Sequence, residues 1–377
     1  MKGKINMCTN VFINKNQYKI EARSMDFPIN IAFKNGWGYV GIENVTDVVI
    51  DADKIPESRI AKWTSKYGYF CRLGFESYVT DGLNTQGFSY SILYLDGTVY
   101  PSYDDNDNRP ALAVYELGNF LLAMAKDVAD ALKLISECQI VNSAVKLKDG
   151  IYIKNIPLHM CLRDANGNSA VIEFIDGKMY IHKNAGNVLT NAPTYEWHLS
   201  NIEEYKSLLQ PSVNNSNPKF SDRVINYADT ISSSRPEVAQ LVGLPGDFSA
   251  AARFVRSYIL SELMLEPKSN REAIFHAASI IANASVPPYE KSMTLWTTIK
   301  DLKNLTVAYK DNAVYQGTGP VGVYAMNIDN GYVTYDLNAM NFYDIPPAEQ
   351  DSGLKVTSPN EIKQIIDMSA VVGLERQ

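Results

Sequence analysis

The chain has 377 residues, a net charge of −7 and a pI near 5.3, and 46% of its residues are hydrophobic while 20% are charged. This composition is typical of a globular protein with a large core. The length allows either one large domain or two domains of ordinary size. The acidic balance argues against a nucleic-acid partner, because phosphate binding requires a basic face. No apolar run is long enough to cross a bilayer, so we expect no membrane partner.

The spacing of cysteines and histidines gives no sign of a metal or redox site. The four cysteines are far apart and form no CxxC pair, which favours neither a zinc site nor a disulfide framework. The four histidines form no HExxH or similar ligand pair. We therefore expect no metal and no cofactor.

The first predicted elements are strands over 8–13 and 18–22 with a turn between them. Antiparallel pairing across that turn brings Arg23 and Asp26 beside Cys8. A guanidinium favours the thiolate over the thiol, and a carboxylate can hold an amine in place. Cleavage before Cys8 would free an α-amine with an ordinary pKa of about 7.7 to 8.0, which suits a general base at neutral pH.

Each of these signals has an ordinary structural explanation. A cysteine near the start of a chain is more often a small hydrophobic residue that opens a strand, and an Arg-x-x-Asp pair is common on surfaces. Residues 1–7 include two lysines but no apolar core, so they do not resemble a secretory signal. Two explanations stay open: Met7 is the true first residue and is removed, or a native export signal has been replaced or lost. We expect a cytoplasmic protein, with a periplasmic or secreted one as the alternative.

Further along the chain, the predicted strands and helices occur in separate groups. A glycine-bounded turn is predicted at 81–87, and apolar residues at helical spacing predict one long helix over 110–137. Asp-Gly at 176–177 and Asp-Asn-Gly at 329–331 both predict hairpins. More helices are predicted over 203–209, 222–230, 251–265 and 271–284. Strands in hairpins indicate antiparallel sheet, and two batches of helices indicate two sheet faces to cover, which is a layered α+β fold.

Two later residues offer polar groups for catalysis. Asn191 ends a predicted strand, where its amide is a neutral donor for a developing oxyanion, although Asn before Ala-Pro is also an ordinary turn residue. Arg253 falls in the first turn of a predicted helix capped by Asp247 or Ser249. The helix dipole prefers anions there, so an arginine hints at a role elsewhere.

Five segments, in order along the chain, together resemble the choloylglycine hydrolase family of conjugated bile acid hydrolases and penicillin V acylases. They are Cys8-Thr9, Ala22-Arg23-Ser24-Met25-Asp26, Asp81-Gly82-Leu83-Asn84, Leu189-Thr190-Asn191-Ala192-Pro193-Thr194, and Gly243-Leu244-Pro245-Gly246-Asp247-Phe248 followed by Arg253-Phe254-Val255-Arg256. The resemblance implies an N-terminal nucleophile hydrolase: a four-layer αββα sandwich of two antiparallel sheets between helical layers. It implies that 1–7 is a leader that is removed and that 8–377 is a single domain.

The resemblance also implies roles for individual residues. Cys8 would be the nucleophile, its freed α-amine the base, and Arg23 the arginine beside the thiol. Asp26 would orient the amine, Asn191 would belong to the oxyanion hole, and Arg253 would be the second arginine of the site. Hydrolysis of a linear amide through a thioester is the implied reaction.

Tyr94 bears on both the oxyanion hole and the substrate. It stands where bile acid hydrolases usually have asparagine and penicillin V acylases have tyrosine, and its backbone N–H would complete the oxyanion hole; a core aromatic on a strand is the alternative. Together with the segment 195–198, it favours a penicillin V acylase-like or N-acyl homoserine lactone-cleaving enzyme over a bile acid hydrolase. Phe27, Trp37 and Phe70 are candidates for an apolar acyl pocket or for the core.

Other functions stay open. A relative that keeps the fold and binds a ligand without catalysis is the alternative from a different class, and a cysteine protease with a separate Cys-His pair is disfavoured. The expected partner is a small N-acyl amide. The family resemblance alone implies a homo-oligomer, and specifically a tetramer.

Overall fold

The structure is a computed structural model that describes residues 7–26, 33–51, 53–75, 77–147, 150–209, 241, 243–287, 293–316, 323–326, 331–344 and 364–367. Within these residues, strands outnumber helices by far. The strands are β1 Met7–Lys15, β2 Tyr18–Asp26, β3 Phe33–Gly38, β4 Glu43–Val45, β5 Lys62–Thr64, β6 Tyr69–Gly74, β7 Tyr78–Asn84, β8 Ser89–Tyr94, β9 Ala111–Ala113, β10 Gln139–Val141, β11 Ala144–Lys146, β12 Ile151–Lys154, β13 Leu158–Arg163, β14 Ser169–Ile175, β15 Lys178–Lys183, β16 Val188–Leu189, β17 Thr294–Asp301, β18 Thr306–Asp311, β19 Ala313–Gln316, β20 Val323–Met326, β21 Val333–Asp336 and β22 Gln364–Asp367.

The helices of the described residues lie in two groups along the chain. The α-helices are α1 Leu117–Met124, α2 Val128–Ser136, α3 Tyr195–Ile202, α4 Ala250–Leu263 and α5 Asn270–Ala284. Short 3₁₀ segments occur at Glu57–Arg59, Val114–Glu116, Glu203–Leu209 and Leu337–Ala339.

Two antiparallel sheets stack face to face and carry helices on their outer sides. One has the strand order β16-β1-β2-β17-β18-β21, and the other has the order β15-β14-β13-β8-β7-β6-β3. Strand β1 contacts β8 across the interface, α4 and α5 pack against the first sheet, and α1 packs against the second. The αββα sandwich predicted from the sequence is confirmed.

Helix α5 illustrates how the outer layer is built. Ser269 caps it by accepting a hydrogen bond from the Glu272 amide at 3.2 Å. Its buried face alternates alanines with isoleucines at helical spacing, and it lies on apolar side chains of the hairpin β1–β2. The small alanines allow the helix to approach the sheet that carries the candidate nucleophile.

The long helix predicted over 110–137 is wrong in two places. Residues at its start form β9, which pairs in parallel with β10, so the chain is extended there. The remainder divides into α1 and α2, because Asp127 takes an extended conformation and caps the second helix by accepting from the Asp130 amide. The apolar spacing was correct, but it spans two helices and a strand.

One hairpin prediction is confirmed, a second is contradicted by the strand pairing, and the turn predicted at 81–87 is found only over its last residues, where the Gly87 amide donates to the Asn84 carbonyl at 3.0 Å. The Asp-Gly hairpin joins β14 to β15, with positive φ at Asp176 and Gly177. For the hairpin predicted at 329–331, residues 329 and 330 lie outside the described residues, but β20 pairs with β19 and β21 pairs with β18, so the described parts of its two strands do not pair with each other. Asp81 and Gly82 lie inside β7 rather than in a turn. A Cβ on Gly82 would meet Leu122 of α1 at 2.4 Å, so glycine lets the helix pack closely. The helix predicted over 222–230 lies outside the described residues.

Candidate active site

The hairpin β1–β2 places the candidate nucleophile. Its register pairs Cys8 with Met25 and Met7 with Asp26, so the end of the second strand returns beside the thiol. The Cys8 Sγ lies 3.6 Å from the Met25 Sδ and 4.0 Å from Nη2 of Arg23. The sequence-predicted proximity of these residues is therefore found in the structure.

Burial and charge act on the Cys8 thiol in opposite directions. Only 1% of the residue is exposed, and this burial raises the pKa of the thiol, while the Arg23 guanidinium lowers it. Burial outweighs the arginine, so the pKa stays above its ordinary value. A thiol in this environment needs an adjacent base to remove its proton.

The backbone of Cys8 forms hydrogen bonds with two side chains from distant parts of the chain. Its N–H donates to Oδ1 of Asn191 at 2.7 Å, and its carbonyl accepts from Nη1 of Arg253 at 2.6 Å. Nη2 of Arg253 also donates to Oδ1 of Asn191 at 2.8 Å. Three distant segments of the chain thus meet at the nitrogen and carbonyl of one residue.

Arg253 reaches this position from the first turn of α4. Ser249 caps that helix through the Ala252 amide at 3.2 Å, and Nε of Arg253 donates to the Phe248 carbonyl at 3.0 Å. Burial lowers the pKa of the guanidinium to about 10, while Asp26 and Cys8 act to raise it. The side chain therefore remains a buried cation at neutral pH, facing the site.

Asp26 is a buried carboxyl group that receives side-chain hydrogen bonds from Thr294 and Ser24 but has one oxygen without a partner in the part of the chain that the structure describes. Its Oδ2 accepts from the Ser24 hydroxyl at 3.3 Å, whereas its Oδ1 is buried and has no hydrogen-bond partner among the described residues. Burial raises the pKa of this carboxyl to about 6, although Arg253 lowers it. A buried carboxylate oxygen without a partner can accept from a cation or an N–H group that enters beside it.

Tyr94 meets Asn191 through its carbonyl group. The Asn191 Nδ2 donates to the Tyr94 carbonyl at 2.8 Å, which leaves a second hydrogen on that nitrogen. The Tyr94 ring is buried in the main core and lines the cavity described next. The alternative of a core aromatic therefore describes its ring, while the oxyanion role of its N–H stays a prediction.

An apolar cavity opens beside the thiol. It encloses about 610 Å³ of empty space, including the part open to solvent, and aromatic and aliphatic side chains form most of its wall. Strand β8 contributes Ile92 and Tyr94, and Tyr78 and Tyr115 stand on other elements.

The residues suggested from the sequence for an acyl pocket do not line this cavity. Trp37 and Phe70 pack against each other at 4.9 Å between ring centroids, in a separate core cluster with Phe12 and Leu83. Phe27 lies outside the described residues. Which aromatic residues face the cavity depends on strand pairing across the chain.

Sequence reasoning missed a buried ionic cluster behind the thiol. Nζ of Lys300 lies 2.6 Å from Oδ1 of Asp81 and 3.2 Å from Oε2 of Glu21, and Nη1 of Arg23 lies 3.8 Å from Oδ1 of Asp81. The two positive charges and the two negative charges of this cluster, which lies between the sheets, therefore neutralise each other. Ser91 links both carboxylates, donating to Asp81 at 2.5 Å and approaching Glu21 at 3.1 Å. The available signal was a charged residue inside an otherwise apolar strand.

A second missed group surrounds Asn191. His159, Glu173 and His198 are each fully buried and lie around the segment that carries the amide. Among the described residues, no group of three or more His, Cys, Asp or Glu side chains is arranged to hold a metal ion. In the same part of the chain, no helix has both the length and the apolar character needed to cross a membrane.

Comparison with known proteins gives one family. The model of the linear amide C–N hydrolases, choloylglycine hydrolase family, matches residues 8–315. A bile salt hydrolase/transferase of Clostridium perfringens is 29% identical over 215 residues, which are 55% of this chain and 61% of that protein. A penicillin V acylase of Pectobacterium atrosepticum is 27% identical over 325 residues, covering 76% of this chain and 73% of that protein.

Solved structures show the same fold. A cysteine-to-alanine mutant of the conjugated bile acid hydrolase from Clostridium perfringens superposes with a TM-score of 0.68 at 19% identity, covering 89% of this chain and 94% of that one. Penicillin V acylase from Agrobacterium tumefaciens superposes with a TM-score of 0.64 at 23% identity, covering 96% of each chain. Because the family model matches most of the chain, this protein belongs to the choloylglycine hydrolase family of linear amide C–N hydrolases.

Proposed function

We propose that this protein hydrolyses the linear amide bond of a small N-acyl substrate, with Cys8 as an N-terminal nucleophile once residues 1–7 have been removed. One observation carries the proposal: the site is organised around the backbone nitrogen of Cys8. That nitrogen donates to Asn191, and Asp26, whose Oδ1 has no partner among the described residues, is paired across the hairpin with Met7, the residue before Cys8. No histidine touches the thiol among the described contacts, so the α-amine is the base that the geometry supports.

Cleavage before Cys8 is required by this chemistry. While Met7 is attached, the Cys8 nitrogen is an amide and cannot accept a proton. Hydrolysis of the Met7–Cys8 bond would convert it to an amine beside a carboxyl group. The ammonium form would pair with Asp26 and the free form would take the thiol proton. The uncleaved chain is accordingly proposed to be an inactive precursor, and 8–377 to be one catalytic domain.

Acyl transfer would then proceed in two steps. The Cys8 sulfur attacks the substrate carbonyl carbon while its proton passes to the α-amine. The tetrahedral oxyanion receives hydrogen bonds from the Asn191 amide and from the backbone N–H of Tyr94. As the C–N bond breaks, the ammonium gives its proton to the leaving nitrogen, leaving a thioester. Water, deprotonated by the same amine, attacks the thioester, and the carboxylic acid leaves as the thiol regains its proton.

The two arginines have separate tasks in this proposal. Arg23 lies on the thiol side and favours the thiolate, which counteracts part of the effect of burial. Arg253 holds both the Cys8 carbonyl and the Asn191 oxygen, and so fixes the nucleophile relative to the oxyanion hole. Positioning of this kind contributes by presenting reacting atoms in a near-attack geometry.

The cavity supports an apolar, preferably aromatic, acyl group. Tyrosine rings on several elements form its wall, and aromatic rings favour edge or offset contacts with an aromatic guest. We therefore propose a phenoxyacyl amide such as penicillin V as the first substrate to test. A conjugated bile acid is the second candidate, and an N-acyl homoserine lactone is the third. Non-catalytic binding in the same cavity is the alternative from a different class.

A homotetramer and a cytoplasmic location are part of the same proposal and rest on family resemblance and on sequence reasoning. Light scattering on the purified protein tests the tetramer. Fractionation of the native cells tests the cytoplasmic location against the periplasmic or secreted alternative.

Intact mass before and after mixing with substrate is the decisive experiment. We expect a mass that lacks residues 1–7, release of the free acid from penicillin V or glycocholate, and a thioester adduct under rapid quenching. Cys8→Ala should abolish both processing and hydrolysis. Cys161→Ala is the matched control, because that thiol is equally buried but contacts Asn10 rather than the cavity. A full-length mass with an inert Cys8 and tight ligand binding would favour the non-catalytic alternative.

A further inference from the structure

Two histidine rings hold the two backbone carbonyls at the end of β16. Nε2 of His159 lies 2.9 Å from the Thr190 carbonyl oxygen, and Nε2 of His198 lies 2.8 Å from the Asn191 carbonyl oxygen. A carbonyl oxygen only accepts, so both Nε2 atoms must carry a hydrogen. These contacts reach Asn191 from the second sheet on one side and from α3 on the other.

The other ring nitrogen of His159 faces a carboxylate, and this contact determines how many protons the pair must hold. Its Nδ1 lies 3.2 Å from Oε1 of Glu173, and the same oxygen accepts from the Tyr195 amide at 2.8 Å. With a hydrogen already on Nε2, a neutral His159 presents a bare Nδ1 to a carboxylate, and two acceptors repel each other. The geometry is favourable only when one additional proton sits between ring and carboxyl group.

The surroundings place that proton on the histidine. Burial alone raises the pKa of Glu173, but the hydrogen bond and charge of His159 and the Tyr195 amide outweigh burial and leave the pKa below its ordinary value. Glu173 is then a carboxylate and His159 its imidazolium partner. The same balance does not hold for His198, because burial lowers the pKa of that ring to about 4 and it stays neutral.

The charged and titratable neighbours of the pair come from four elements. Glu173 is on β14, and His182 on β15 lies 3.4 Å from its second carboxylate oxygen with 26% of the side chain exposed. His198 on α3 and Arg253 on α4 lie on the other side, where the charges of His159 and Arg253 lower the pKa of His198 and that of Glu173 raises it. The carboxylate of Glu173 is therefore the charge that keeps the proton on His159.

We propose that His159 and Glu173 are positioning residues that hold the end of β16, and with it Asn191, and that they do so only while His159 carries its second proton. When that proton is lost, the ring and the carboxylate repel each other, and the hydrogen bond to the Thr190 carbonyl loosens. The pair thus couples pH to the placement of the amide that receives the oxyanion. Its catalytic consequence rests on the proposed function, but the structural consequence does not.

Hydrogen exchange of the segment 186–198 tests the structural part without substrate. We expect protection, corrected for intrinsic exchange rates, to fall as pH rises through the loss of the shared proton. Glu173→Gln keeps the acceptor for the Tyr195 amide and removes the charge, so protection should be lost at a lower pH than in the wild type. His159→Gln can still donate to Thr190 without titrating, so its protection should be insensitive to pH. Identical pH profiles for wild type and both variants would overturn the proposal.

Kinetics tests the catalytic part. In Glu173→Gln, kcat at pH 8 should fall about ten- to hundredfold with KM nearly unchanged, and the loss should be smaller at pH 6. His182→Gln is the control, since it removes a second histidine from the same carboxylate without touching Thr190. A loss of kcat in Glu173→Gln that is equal at both pH values would reduce the pair to a structural role. If the wild type hydrolyses no amide while exchange behaves as expected, the proposed function fails and the positioning role stands.

Discussion

Substitution of Asp26 by asparagine should stabilise the uncleaved chain. Burial raises the pKa of this carboxyl from 3.8 to about 6, so ionising it within the fold is unfavourable at neutral pH. At about 1.4 kcal/mol for each tenfold change in proton affinity, that rise corresponds to about 3 kcal/mol. Asparagine has nearly the same shape and no charge to bury. We expect the free energy of unfolding at pH 7 to increase by up to about 3 kcal/mol.

The contribution of Asp26 to the free energy of unfolding decreases as pH rises. Because the pKa is raised in the folded state, the native chain binds the proton more tightly than the unfolded chain. This contribution to stability is fully present below pH 3.8, is lost as pH rises towards 6, and stays lost above pH 6. The Asp26→Asn variant lacks it, so its advantage over the parent should appear between pH 4 and pH 6.

Cleavage before residue 8 should reverse the effect. A terminal ammonium beside Asp26 would supply the cation that the unpartnered Oδ1 lacks, and the carboxylate would then stabilise the fold. Both forms can be compared in a Cys8→Ala background, one full-length and one beginning at residue 8. Urea unfolding of the four proteins, with and without Asp26→Asn, gives the free energies.

The comparison between the two forms can refute this reasoning. We expect asparagine to stabilise the full-length form and to destabilise the form that begins at residue 8. Equal effects in both would mean that the α-amine does not reach Asp26, and the proposed base would lose its support. Ser24→Ala is the control, since it removes a weaker 3.3 Å contact to the same carboxyl group without changing charge.

Three further changes have expected outcomes. Asn191→Ala should lower kcat about 10²- to 10³-fold with little change in KM, measured with penicillin V, because it removes an oxyanion donor; an equal rise in KM would argue for ground-state binding instead. Lys300→Met should lower the free energy of unfolding by about 3 to 5 kcal/mol, since it leaves buried carboxylates without their cation. An unchanged urea midpoint would contradict the claim that Lys300 neutralises Asp81 and Glu21. Ile92→Trp should narrow the cavity and raise KM for aromatic acyl groups, whereas Val99→Trp at an exposed position should not.

The part of the site that lies on one hairpin was accessible to sequence reasoning. Two strands joined by a short turn have a limited choice of register, so the placement of Arg23 and Asp26 beside Cys8 followed from local pattern. The turn begins later than predicted, with Lys15 still paired to Tyr18 and Asn16 at positive φ. Asn191 and Arg253 come from distant segments, and only the family resemblance joined them to the same site.

The buried charge networks were not predictable, because pairing between distant strands decides which partners meet. Glu173 interrupts an apolar strand and Glu21 lies in a strand that alternates polar and apolar residues, and either pattern fits a solvent-facing position or a buried ion pair. Nothing local distinguishes these two cases. The same limitation applies to the strands predicted to pair on either side of 329–331, because each of them pairs with a different strand in the part of the chain that the structure describes.

These networks explain how a site with so many charges can be buried between two sheets. Arg23 is balanced by Asp81, and Lys300 neutralises the remaining charge of that cluster with Glu21, so the cation beside the thiol belongs to a neutral group. Around Arg253 the balance is incomplete, because Asp26 has a pKa of about 6 and one oxygen without a partner. An α-ammonium on Cys8 would give Asp26 its missing cation. If the proposed cleavage takes place, this carboxyl group would favour the state that follows it, and the same residue would link the maturation of the site to its chemistry.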